Sequence, residues 1–191
     1  MKRDMIKEIK TSFFSCEKDA ELILKKLLVE NRNASEDLKR LLLINTKDCL
    51  DKTNSKYQQI VNNTSVAELM EKNYITLVPR IRFAEHEEVK TYIIMGFDNF
   101  RTNATNPEFR NHTISFDILC HTDYWDIGNY QLRPLKIAGY IDGILNNTKL
   151  SGIGCFLFSS CNELIVNEDI AGYTLIYNVV NGNDDLIAPE E

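Results

Sequence analysis

The hydrophobic positions of this chain change period close to residue 76. Before that point they recur every three or four residues, which marks helices that bury one side. Met5, Ile6, Ile9, Phe13 and Phe14 form one such set, and Leu22, Ile23, Leu24, Leu27 and Leu28 make a wide apolar stripe from Glu21 to Val29. Asn33-Ala34-Ser35-Glu36-Asp37 reads as a helix start, with Ser35 as the cap and acids in the first turn. Leu38, Leu41, Leu42 and Cys49 continue that helix towards Leu50. Residues 51–63 (DKTNSKYQQIVNN) read as a polar connection, and Val66 to Met70 as one more short helix.

From Thr76 the period is two. Leu77, Pro79, Ile81 and Phe83 alternate with Val78, Arg80 and Arg82, and Pro79 confines that strand to an edge because it cannot donate to a ladder. Thr91 to Phe97 reads as a second strand, joined to the first through Glu85-His86-Glu87-Glu88 as a hairpin. A loop with Asn106-Pro107 leads to the clearest strand. There Ile114, Phe116, Ile118 and Cys120 face one way, and Thr113, Ser115, Asp117 and His121 the other. Leu132 to Leu145 predicts a helix with Pro134 in its first turn and a core stripe of Leu135, Ile137, Ala138, Ile141, Ile144 and Leu145. Gly139 and Gly143 lie one turn apart in it, which suggests close approach to a neighbouring element. Strands at Ile153–Ser160, extended by Leu164 to Val166, and at Tyr173–Val180 complete the pattern.

These elements predict an α+β fold: N-terminal helices, then an antiparallel β-β-β-α-β-β sheet with one helix packed on it. Three regions follow, a helical one over residues 1–75, the α+β core over 76–182, and an acidic tail over 183–191.

Composition narrows the function classes. The chain has 191 residues, 43% of them hydrophobic, enough for a core without staples. No apolar run is long enough to span a bilayer, and the charged start MKRDMIKEIKTSFF does not read as a secretory signal. Five scattered cysteines with no CxxC pair read as reduced thiols in a cytoplasmic setting. A net charge of −6 argues against general duplex binding.

Candidate chemistry gathers at the strand-to-helix junction HTDYWDIGNYQLRP. Cys120, His121 and Asp123 could supply metal ligands or a nucleophile, but consecutive strand residues point to opposite faces, which keeps Cys120 and His121 apart. Cys120 is then a core residue and His121 a polar strand-end residue. No Walker loop, GxSxG, HExxH or GxGxxG occurs, so no catalytic, metal or cofactor residues are assigned. Asp123, Tyr124, Trp125, Asp126, Tyr130 and Arg133 form an aromatic, acidic and arginine patch of the kind enriched at interface hot spots. As a functional surface it is a subunit contact. As plain structure, Trp125 closes the end of the core and Arg133 pairs with Asp126 or caps a helix.

The order of elements, with FDILCHTDYW ending the third strand, LRPLKIAGYIDGILNN as the helix, then GIGCFLF and AGYTLIY, resembles the tail-terminator and head–tail joining proteins of tailed bacteriophages. The resemblance covers about residues 76–182, with ASEDLKRLLLINTKDCL as a leading helix. It implies a virion structural protein, made in the host cytoplasm and built into the neck or tail. Copies would close a homo-oligomeric ring of six or twelve, in contact with portal, other neck or tail-tube proteins. DNA would pass through without sequence-specific binding, no cofactor would be used and no membrane crossed. An acidic lumen would suit such a conduit, with Asp117, Asp123 or the acidic tail facing it. The alternative is a small cytoplasmic α+β enzyme or ligand-binding domain with its site near Cys120, His121 and Asp123. A third reading is a partner-binding module without a ring.

Overall fold

The computed structural model describes residues 16–77, 91–102, 110–150 and 153–181. Helix α1 (Cys16–Lys25) runs into a π-helical turn over Lys26–Glu30, followed by α2 (Arg32–Leu43), α3 (Ser55–Asn63) and α4 (Val66–Glu71). The strands are β1 (Ile75–Thr76), β2 (Thr91–Thr102), β3 (Arg110–His121), β4 (Lys149–Leu150), β5 (Gly154–Ile165) and β6 (Ile170–Asn181), with α5 (Arg133–Leu145) between β3 and β4. They form one six-stranded sheet in the order β1-β2-β3-β6-β5-β4. The predicted α+β class holds. The sheet is antiparallel except at one edge, where β1 runs parallel to β2 with Ile75 opposite Ile93. The strand expected from Leu77 onward and its turn at 85–88 lie outside the described residues, apart from Leu77 itself, as do the set from Met5 to Phe14, the Asn106-Pro107 loop and the acidic tail.

Strand β3 shows why the sheet forms. Ile114, Phe116, Ile118 and Cys120 are all fully buried, on the face that meets the helices. Met95 pairs with Phe116 and Ile93 with Ile118, so β2 adds to the same face. Leu24, Leu27, Leu41, Ile137, Ile141 and Leu145 join them in one core, so the helical region and the sheet share their hydrophobic interior. Tyr177 of β6 sits at its far side, edge-on to Phe116, Phe156 and Phe158 at about 6 Å between ring centres. A smaller apolar cluster of Tyr92, Ile94, Leu119 and Ile170 lies on the opposite face.

The helical region departs from the sequence reading in three places. Ser35 is not a cap. Helix α2 starts a turn earlier, with Asn31 preceding it, and the Ser35 N–H donates to Asn31 O at 2.7 Å while its hydroxyl is buried without a partner. The same helix stops at Leu43 rather than Leu50, because Ile44 turns extended at φ −116° and ψ 105°. Cys49 is still buried, brought in by the turn that follows. Residues Ser55–Asn63, read as a polar connection, form α3, capped by the Asn54 side chain accepting from the Lys56 and Tyr57 N–H groups. The predicted helix at Val66 is closed by a Ser65/Glu68 capping box.

Helix α5 carries the expected buried stripe of Ile137, Ala138, Ile141, Ile144 and Leu145, but Leu135 is 43% exposed. Gly139 and Gly143 also lie on the outer side, where a β-carbon would meet nothing within 4 Å, so they do not serve close approach. The close approach is elsewhere. Gly172 of β6 faces Leu119 of β3, and a β-carbon there would sit 1.7 Å from the Ile118 carbonyl oxygen. Gly172→Ala is therefore expected to cost about 1–3 kcal/mol through forced backbone shifts. Gly139→Ala and Gly143→Ala should each add up to about 1 kcal/mol. Urea unfolding midpoints check both, and an unchanged midpoint for Gly172→Ala would contradict the clash.

Candidate functional site

Helix α5 is entered through a corner between His121 and Leu132. The corner opens with a 3-10 turn, Thr122–Tyr124, whose Thr122 N–H donates to Asp169 O at 2.7 Å. Beneath it lies Arg133, fully buried. Its Nη1 donates to Leu41 O at 2.6 Å and Ile44 O at 2.9 Å, its Nη2 to Thr46 O at 2.9 Å, and its Nε to Tyr124 O at 2.9 Å. Its backbone N–H donates to Trp125 O at 2.7 Å. Arg133 thus caps the C-terminus of α2, where carbonyls have no helical partner and the dipole is negative. Of its two structural readings, helix capping holds and pairing with Asp126 does not. Nor is it a contact residue in its own right, since nothing of it reaches the surface.

Trp125 is half-buried against the core, with Nε1 donating to Cys120 O at 3.2 Å and its ring 6.3 Å from that of Tyr173. It ties the corner back to the end of β3. Asp126 pairs with Lys47 at 2.6 Å, and its carboxyl also accepts from the Gly128 N–H at 2.8 Å. The bond from Lys47 is the main reason its carboxyl lies below the usual carboxylate range. Both partners are largely exposed, so the pair adds little stability.

Gly128, Asn129 and Tyr130 follow with φ of 80°, 53° and 59°, a left-handed run that presents Tyr130 fully to solvent. Leu132 and Leu135, 38% and 43% exposed, extend this surface along the start of α5. Neither leucine is recognisable from sequence as part of the patch, because helical periodicity assigns Leu135 to the core. The corner therefore has two layers. Arg133 and the buried Ile127 anchor it, the half-buried Trp125 belongs to both layers, and Asp123, Asp126, Tyr130, Leu132 and Leu135 are presented.

The structure does not bring Cys120, His121 and Asp123 into one site. Cys120 lies in the core, where burial pushes its thiol up to about 12. A thiol held protonated to that extent is no nucleophile. His121 points away from that core, its Nδ1 accepting from the Asp123 N–H at 3.3 Å and standing 3.6 Å from the Asp123 carboxylate. Among the described residues no group of three His, Cys, Asp or Glu side chains is placed to hold a metal ion.

The sequence profile of the YomW family matches residues 35–179, from α2 through β6 and including the whole corner. The chain belongs to the YomW family, a phage-derived family. A chain of the virion of native gene transfer agent (GTA) particle is similar at 16% identity and a TM-score of 0.41, over 66% of this chain and 91% of that one. A likeness this loose carries no argument. No curated protein matches.

In this YomW-family chain the two layers of the corner should separate by mutation. Arg133→Ala leaves four carbonyls, those of Leu41 and Ile44 buried, without their donor and is expected to cost about 3 kcal/mol or more. Arg133→Lys should recover only part, since an ammonium cannot reproduce the guanidinium fork. Tyr130→Ala should change stability by less than about 0.5 kcal/mol. Thermal unfolding of the three variants checks this, and a large loss for Tyr130→Ala would contradict the division.

Proposed function

We propose that this protein is a virion structural protein of a tailed bacteriophage, one that assembles into a ring at the junction of neck and tail. The observation that carries the reading is the match to a phage-derived family over residues 35–179. The corner supports it. Exposed aromatic, aliphatic and charged side chains standing on a rigid, hydrogen-bonded base suit a contact surface. On this reading Asp123, Tyr124, Trp125, Asp126 and Tyr130 contribute to the contact between subunits, joined by Leu132 and Leu135, and Arg133 positions them from beneath.

A ring built from one kind of subunit needs two different faces on each copy. The second is the β5 side of the sheet. Strand β4 pairs only with Gly154 and Cys155, and Leu157, Phe158 and Ile165 stand 47%, 45% and 69% exposed along the remainder of β5. No reaction is catalysed in this role. DNA passes through the ring, other neck, portal or tail-tube proteins meet its two rims, and Asp117 and Asp123 are candidates for an acidic lumen. Among the described residues no helix is long and apolar enough to cross a membrane.

The test is electron microscopy of particles assembled without this protein. Unjoined heads beside finished tails would mark a connector, and tails of uncontrolled length a terminator. Normal, infective particles would overturn the proposal. Complementation with Tyr130→Asp in place of the native chain should reproduce the defect while the variant remains folded.

A further inference from the structure

The core face of β3 carries one residue unlike its neighbours. Ahead of Ile114, Phe116, Ile118 and Cys120, and on the same face, comes His112, 4% exposed. Both of its ring nitrogens are buried and have no hydrogen-bond partner. The ring lies parallel to that of Phe100, with 5.2 Å between centres and 5° between planes, and Phe97 stacks beside it at 6.3 Å. On β6, Val179 stands opposite.

A bulge places Phe100 there. Asp98 pairs with Thr113 and Arg101 with Asn111, so Asn99 and Phe100 together oppose His112. Asn99 takes a φ of 55°. One extra residue reverses the alternation of β2 beyond Asp98 and turns Phe100 to the side of His112. Phenylalanine in place of His112 could fill the same slot without leaving two polar atoms unbonded. A protonated imidazole would fare worse than the neutral one, since among the described residues its two N–H groups and its charge would meet the Phe97 and Phe100 rings and Val179.

We infer that His112 is a pH-sensitive latch on the bulged end of β2. Neutral, the ring is clamped with Phe97 and Phe100 and holds that end of β2 against β3. Protonated, it needs acceptors that the slot does not provide, so it leaves, and the β2 residues beyond Asp98 lose their anchor. Among the described residues neither a hydrogen bond nor an ion pair reaches the ring. Asp98 and Arg101 on β2 are exposed, and the Asp98 carboxylate accepts from the Asn99 N–H at 2.7 Å. Tyr177, two residues from Val179 on β6, has its hydroxyl donated to Asp142 of α5 at 3.0 Å. Burial accordingly pushes the His112 imidazole below its ordinary range. The unfolded chain then binds the proton more readily than the folded one. The latch's stabilisation is complete above about pH 6.5 and is lost as the pH falls below it.

The inference is independent of the assembly reading and is tested on the full chain in solution. NMR titration follows the His112 ring, and amide protection factors are compared at pH 7.5 and 5.0 in the native protein and in His112→Phe. The native protein should lose about tenfold or more of the protection at Phe97–Arg101 and Asn111–Thr113, with the rest of the sheet retained, and His112→Phe should keep it. His112 should titrate below 6.5. A titration at or above 6.5, a loss spread evenly over the sheet, or an equal loss in His112→Phe would each overturn the inference. If His112→Phe does not fold, the native ring titration and the local or global pattern of protection still decide.

Discussion

The arrangement of this molecule depends on one guanidinium. Arg133 stands at the first turn of α5, and its fork is divided between two distant stretches of chain. Leu41, Ile44 and Thr46 lie where α2 ends, and Tyr124 lies in the corner after β3. Hydrophobic contact alone would let α2 slide over the sheet, because apolar area is non-directional. Hydrogen bonds fix the register. Among the described residues the buried charge has no carboxylate partner, and its compensation is the row of unpaired carbonyls at a helix C-terminus. Arg40 repeats the device one level out. Also fully buried, it reaches Glu36, the Asp51 carbonyl and Gln58, and so ties α2 to α3.

The proposed contact surface inherits its rigidity from that base. Trp125 is held to the end of β3, Thr122 to the β5–β6 turn, and Asp126 to Lys47 beyond α2. The left-handed run over Gly128–Tyr130 can therefore project a tyrosine without burying any of it. A side chain presented from a fixed frame loses less freedom on docking than one on a loose loop, which is what a contact surface requires. The buried base of the corner thus also supports Tyr130, a residue that contributes little to the stability of the single chain.

What the sequence makes legible follows from how local each signal is. Alternation over Ile114–Cys120 and helical spacing over Ile137–Leu145 reveal the main strand and helix, because burial on one face writes directly into the pattern. Helix α3 is hidden because SKYQQIVNN has few apolar residues and buries only Val61, so its capping asparagine is the sole strong cue. Leu135 is misassigned because periodicity cannot tell a helix's buried stripe from its exposed margin. The partners of Arg133 at the end of α2, Leu41, Ile44 and Thr46, lie about ninety positions away in the chain, a distance no local pattern spans. The bulge that pairs Phe100 with His112 is invisible for a related reason, since one extra residue changes which side chains share a face and leaves composition untouched.

Arg133 couples the end of α2, the corner and α5 into one unit. Hydrogen exchange on Arg133→Met tests it most directly, since methionine keeps much of the side chain's bulk and removes the donors. Protection should fall together at Leu43–Ile44, Trp125 and the first turn of α5, while Ile114–Ile118 in the middle of β3 stays protected. Loss confined to α5, with the end of α2 unchanged, would contradict it.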